Sequence, residues 1–303
     1  ALEGNSLDQV AVGLTPDAIT FLTRMLPSMS PRVAGPLLCI GAVAGVDPLP
    51  VAKTLLALDD AQHGCSAVLA LHLVRSGSCL MELKNALNHP RWRVRREAML
   101  RLTPGLPVDE RGTLIAMSCD RSADVRLEFA SLMNREKWPE AADSLVAMLS
   151  DNRDFSQDPN YLDQLSWPVH KVARAAAHAL KEYLCLSEHL ITTMMELVST
   201  GSLGDPFVTS SILKALSNKE DSRLDCFLAS YLHSPGLDDS ATYRPVAQSA
   251  AWAIFDRVID SKLTLSPEVV TLLRSAVNDS DGLISGPVIV AVGLLGDSEL
   301  VKT

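Results

Sequence analysis

Val94-Arg-Arg-Glu-Ala-Met-Leu-Arg-Leu102 and Val172-Ala-Arg-Ala-Ala-Ala-His-Ala-Leu180 are two copies of one nine-residue phrase, and their reading decides the fold. In each, the first, fifth and last positions are apolar: Val94, Ala98 and Leu102, then Val172, Ala176 and Leu180. Residues at i, i+4 and i+8 share one face of an α-helix. The alanines let a neighbouring helix approach to roughly the lower end of the 8–10 Å interaxial range.

The phrase returns along the chain. Further copies are Val125-Arg-Leu-Glu-Phe-Ala-Ser-Leu-Met133, Val208-Thr-Ser-Ser-Ile-Leu-Lys-Ala-Leu216, Val246-Ala-Gln-Ser-Ala-Ala-Trp-Ala-Ile254 and Ile284-Ser-Gly-Pro-Val-Ile-Val-Ala-Val292, with fainter ones near Cys65 and Arg32. From 94 to 125, 172, 208, 246 and 284 the steps are 31, 47, 36, 38 and 38 residues. Such spacing fits one helical hairpin per repeat with elastic loops. Between phrases lie second amphipathic segments, among them Leu80–Leu87, Leu145–Leu149 and Val269–Leu273. Each unit therefore reads as helix A, short turn, helix B. The fold expected is all-α: an α-solenoid of about eight antiparallel helix pairs over residues 1–303 as a single array. Asp124, Asp205-Pro206 and Asp281 precede helix B starts, where a carboxylate accepts orphan N–H groups and Pro is tolerated. Pro27, Pro90, Pro139, Pro168 and Pro267 mark further expected boundaries.

Composition agrees. Of 303 residues, 47% are hydrophobic but only 5% aromatic, which suits many similar helices in small contacts better than a β-sandwich. The net charge of −9 repels phosphate backbones, so nucleic-acid binding is disfavoured except through a local basic patch. Cys39, Cys65, Cys79, Cys119, Cys185 and Cys226 are scattered without any C-x-x-C pair, as free thiols of a reducing compartment are. Uncharged runs at 33–46 and 283–296 fall short of the ~18 residues a membrane helix needs. No secretory signal is visible at Ala1-Leu2-Glu3-Gly4, and a cytoplasmic location is expected.

The phrases at 94–102 and 172–180, with Ala291-Val-Gly-Leu-Leu-Gly-Asp-Ser-Glu-Leu-Val301, resemble the HEAT-repeat family in its short-repeat branch related to phycobilisome lyases. The likeness runs from about residue 31 onward and is weakest over the first sixty positions. It implies an armadillo-type superhelix and, for many members, protein binding without chemistry. Ser298–Thr303 looks like the start of one more helix A, as in a fragment of a longer protein or a capping helix.

The densest basic run is Arg91, Arg93, Arg95, Arg96 and Arg101 around Trp92. Arg95 and Arg126 follow the phrase's first aliphatic residue, where the resemblance implies an Asp–Arg ladder between units. Arg91, Trp92, Arg93 and Arg96 are instead candidate partner-binding residues, because Arg and Trp are favoured interface anchors, and an acidic protein surface or a phosphate would suit them. Residues 150–166 form an inserted loop with Asp151, Asp154, Asp158 and Asp163; its Phe155 and Tyr161 are further partner-contact candidates, against a plain solvated loop. His170 and His178 stand about 12 Å apart along one helix, too far to share a metal; Glu182 follows, and His63 with Cys65 is an isolated pair. No nucleophile elbow, Walker loop, dinucleotide fingerprint or zincin motif is present, so no catalytic residue, metal ligand or cofactor is assigned. The expected role is a non-catalytic protein–protein interaction scaffold or adaptor with a concave surface lined by B helices. Alternatives are a HEAT-like nucleic-acid binder, a bilin-lyase-like enzyme, or the sensor or docking arm of a larger multidomain protein.

Overall fold

Each repeated phrase sits inside a helix. The computed structural model describes residues 24–74, 76–151, 171–183, 185–203, 205–232, 240–263, 266–278 and 282–295, with a few positions before residue 24. Among the described residues the secondary structure is entirely helical: α1 Pro31–Val43, α2 Leu49–Ala57, α3 Ala61–Val74, α4 Gly77–Ala86, α5 Trp92–Leu102, α6 Gly112–Ile115, α7 Ala123–Glu136, α8 Ala142–Met148, α9 Lys171–Lys181, α10 Glu188–Ser199, α11 Pro206–Leu216, α12 Arg223–Ser230, α13 Ser240–Ile259, α14 Pro267–Val277 and α15 Gly282–Leu294. No helix among these is long and apolar enough to cross a membrane.

Helix starts follow capping chemistry. The hydroxyls of Ser76, Ser187 and Ser266 accept from the backbone N–H groups of Cys79, Leu190 and Val269, at the starts of α4, α10 and α14. Asp205 does the same for Phe207 N–H at 2.8 Å, with Pro206 in the first turn of α11. Asp124 differs from its expected role. Asp120 instead accepts Ser122 N–H at 2.7 Å, so α7 begins at Ala123 and Asp124 lies within its first turn. Gly45 and Gly201, at φ +86° and +64°, turn the chain beyond α1 and α10, where a side chain would be strained.

The chain divides into two compact units, with the boundary between Phe129 and Ala130 inside α7. In the first unit α3 is central, with α1 and α5 on either side and α2 and α4 against it. Gly64 of α3 meets Val94 of α5 so closely that a Cβ there would lie 2.5 Å from a valine methyl. In the second unit α9, α11, α13 and α15 pack each upon the next, while α10, α12 and α14 pack against α11, α13 and α15. The apolar positions read from the phrases are the buried ones: Val94, Ala98 and Leu102, Val172, Ala176 and Leu180, Val208, Ile212 and Leu216. Burying each large aliphatic side chain stabilises by roughly 1.5–3 kcal/mol.

Cations tie successive helices together. Arg257 and Asp225 form an ion pair at 2.6 Å with exposures of only 1% and 2%, and Arg257 also donates to the carbonyls of Ser217, Lys219 and Asp221. Lys219 is buried and its ammonium donates to the carbonyl oxygens of Leu180, Lys181 and Tyr183, closing the C-terminal end of α9.

Candidate interaction surface

The Arg-rich run begins at the N-terminal end of α5, where His89 shapes the approach. Its Nε2 donates to Leu56 O at 3.0 Å and its Nδ1 accepts from Arg91 N–H at 3.1 Å. That pins the loop entering α5. Each arginine then meets a different fate.

Arg91 grips Asp59 with two N–H···O bonds of 2.7 and 2.9 Å, both groups remaining well exposed. Arg96 pairs with Glu128 at 2.6 Å. Arg101 pairs with Glu97 one turn earlier at 2.7 Å. Arg95 turns inward: it forks onto Asp120 through two bonds of 2.7 Å and donates to the carbonyls of His89 and Pro90, with both side chains of the pair 5% exposed. An Asp–Arg pair is thus present at this position, between residues 25 apart in the chain. Arg126, fully buried, donates to the backbone carbonyl of Asp120 at 2.7 Å. Arg121 reaches back to Pro90 O at 2.6 Å.

Arg93 is left over. Its guanidinium carbon lies 5.3 Å from the centroid of the Trp92 ring, a cation–π distance, and the side chain is exposed. No carboxylate pairs with it among the described residues. Of the four candidate residues on α5 and its cap, Arg91 and Arg96 are thus neutralised, while Arg93 on Trp92 keeps its charge available. An exposed ion pair contributes only ~0–1 kcal/mol, so Asp59 holds Arg91 loosely.

The other candidates separate from this group. Phe155, Tyr161 and the rest of the inserted loop from 152 to 166 lie outside the described residues, as do His170 and Pro168. His178 is exposed on α9, and Glu182 pairs with Lys137 at 3.4 Å. His63 is a packing residue: Nδ1 lies 3.0 Å from Asp60 Oδ1 and Nε2 3.3 Å from Met29 O. The backbone N–H of His63 is the main reason the Asp60 carboxyl is held below its usual range. Cys65 beside it is half-buried, and burial pushes its thiol up to about 11. Cys39 is pushed up to about 11 by burial as well. All six cysteines are free, with Cys119 and Cys185 exposed. Among the described residues no cluster of His, Cys, Asp and Glu has the arrangement to hold a metal ion.

The exposed faces of α9, α11 and α13 carry a second group that motif reading passes over. Arg174 stacks 4.6 Å above the Phe207 ring and pairs with Asp205 at 2.9 Å. Trp252 is half exposed and meets Phe255 edge-on at 5.4 Å. The signal in the sequence is the spacing of Lys171, Arg174, His178 and Lys181, which share one helix face.

Compared with models of known protein families and with the curated proteins, the chain matches none.

Proposed function

We propose that this chain is a HEAT-like α-solenoid acting as a non-catalytic scaffold that binds a protein partner with an acidic surface. One observation carries the reading: Arg93, stacked on Trp92, stays exposed and unneutralised in a run where the other arginines have found a carboxylate or a carbonyl. An aromatic and a guanidinium held together at the surface form the kind of anchor that dominates interface energetics. The guanidinium, already oriented by the ring, loses little freedom on meeting a carboxylate. Helices packed each upon the next support the repeat-array reading.

The test is affinity capture from the source cells with the wild-type chain and with Trp92→Ala and Arg93→Glu variants, analysed by mass spectrometry. The proposal expects proteins held by the wild type to be lost from both variants. An unchanged set of captured proteins overturns it. Arg96→Gln, which breaks a pair with Glu128, should have the smaller effect.

A further inference from the structure

The three residues that lead into α5, His89, Pro90 and Arg91, have a protein partner for every backbone polar group. His89 N–H donates to Ala86 O at 3.2 Å, and the His89 carbonyl accepts from Arg95 Nη1 at 2.8 Å. Pro90 has no N–H, and its carbonyl accepts twice, from Arg95 Nη1 at 3.0 Å and from Arg121 Nη2 at 2.6 Å. Arg91 N–H donates to His89 Nδ1, and the Arg91 carbonyl accepts from the N–H groups of Val94 and Arg95. Water often serves such groups at a helix entry; here side chains and neighbouring backbone serve all of them.

This turn stands where other helices of the chain have a cap. Ser76, Ser187, Asp205 and Ser266 each accept a first-turn N–H through a side-chain oxygen, at the starts of α4, α10, α11 and α14. Arg91, at the same place before α5, makes no side-chain cap bond. Helix ends fray unless something holds them, and Trp92 and Arg93 are the first two residues of α5. The hold comes from the bonded turn instead.

Two of its side chains, His89 and Arg95, are buried, and their bonds belong to the packed interior of the first unit. Arg121 is different. It is exposed, it lies 31 residues from Pro90 in the chain, and it is not paired with a carboxylate among the described residues. One bond from an exposed guanidinium to a neutral carbonyl adds little to global stability. It does bear on the turn from the solvent side, two residues before Trp92 and three before Arg93.

We infer that Arg121 is a positioning residue for the Trp92–Arg93 anchor: it holds the His89–Arg91 turn, so that an acidic segment of a partner protein meets the stacked ring and guanidinium already ordered. The inference rests on the reading of Trp92 and Arg93 as the binding anchor and adds the residue that orders it. Ordering side chains at the moment of binding costs affinity, and a held turn removes that cost beforehand.

The probe is a fluorescein-labelled peptide of about ten residues rich in Glu, titrated with the full chain and read by fluorescence anisotropy at low salt and at ~0.15 M salt. Arg121→Ala is expected to weaken binding roughly 3–10-fold at both salt concentrations, the effect of ordering one or two side chains on binding. Arg121→Lys, which keeps a donor for Pro90 O, should restore most of it. In the free protein, hydrogen exchange at the Val94 and Arg95 amides, both bonded to Arg91 O, should quicken in Arg121→Ala, while the urea midpoint stays that of the wild type. Arg93→Glu should abolish binding. If Arg93→Glu does so and Arg121→Ala binds like the wild type, the anchor stands and the positioning role falls. The role also falls if Arg121→Ala weakens binding with unchanged exchange at Val94 and Arg95, which makes Arg121 a direct contact, or if its urea midpoint drops, which makes it a structural residue. A wild-type chain that ignores the peptide, or binding indifferent to Arg93→Glu, overturns the anchor reading and this inference with it.

Discussion

The close approach of α3 to α5 offers a sharp perturbation, Gly64→Ala. A Cβ at residue 64 would lie 2.5 Å from Val94 Cγ2 and 3.3 Å from Cγ1, while ordinary carbon contacts are ~3.5–4.0 Å. One methyl would have to retreat by about 1 Å. Val94 is fully buried and β-branched, so in a helix it has essentially one χ1 well in which to sit. Either α3 and α5 part or Val94 leaves its rotamer, and overpacking of this kind costs about 1–3 kcal/mol. Replacing a helical glycine gains up to about 1 kcal/mol, which leaves a net loss of roughly 0–2 kcal/mol. The companion Gly286→Ala has nothing within 4 Å of its added carbon and should stabilise by up to about 1 kcal/mol. A double-mutant cycle removes the ambiguity. Val94→Ala costs about 1.5–3 kcal/mol alone, but in that background the offending methyls are gone and Gly64→Ala should become stabilising. The expected coupling is about 1–3 kcal/mol, read from urea unfolding followed by circular dichroism. Equal shifts in both backgrounds, or a Gly64→Ala chain more stable than its parent, would refute the packing described.

Other expectations test the polar framework. Arg257→Met removes the buried cation beside Asp225 and should cost about 3–5 kcal/mol, whereas Arg91→Met, whose partner Asp59 is exposed, should cost less than about 1 kcal/mol; similar losses would contradict the burial difference. Lys219→Met takes one donor from the carbonyls of Leu180, Lys181 and Tyr183, although Leu180 keeps the Tyr183 N–H and Lys181 the Asn218 amide, and should lose about 1–3 kcal/mol at neutral pH. Burial pushes the Lys219 ammonium from 10.5 down to about 8, so above pH 8 the unfolded chain holds a proton that the folded chain has shed. Wild-type stability therefore gains a component that rises with pH from about 8 to 10.5, absent from Lys219→Met; parallel pH profiles for the two chains would show that Lys219 does not titrate this way. Alkylation mapped by mass spectrometry at pH 8 should label Cys119 and Cys185 first and Cys39 and Cys65 slowly, since both thiols of the latter pair are pushed up to about 11. Fast labelling of Cys39 would mean that α1 is not packed as described.

Much of the local architecture was legible because one physical rule produces it. Apolar residues at i, i+4 and i+8 must face a neighbour, and α5, α9, α11 and α15 each contain the phrase that announces them. The end positions were less legible. Asp120 rather than Asp124 organises the start of α7, because an Asp can accept a backbone N–H two residues on and so fixes the turn before the helix begins. Pro36, Pro245 and Pro287 lie within α1, α13 and α15, where a boundary rule alone would have ended the helix.

The binding candidates show a different limit. Composition identifies five arginines around Trp92, but their availability depends on carboxylates elsewhere in the chain. Asp59 and Glu128 are each 32 residues from the arginine they neutralise, and only folding brings them together. The same holds for Arg174 and Asp205 at 31 residues and Arg257 and Asp225 at 32. Sequence spacing does carry the cationic stripe of α9. Weighing His178 only as a metal ligand hides it, because the informative relation is its shared face with Lys171, Arg174 and Lys181.

Small-angle X-ray scattering of the chain in solution tests the proposed open repeat array most directly. A compact globule of 303 residues has a radius of gyration of ~19 Å. The account predicts a clearly larger radius, with a pair-distance distribution skewed to long distances. A radius near ~19 Å with a symmetric distribution would contradict it.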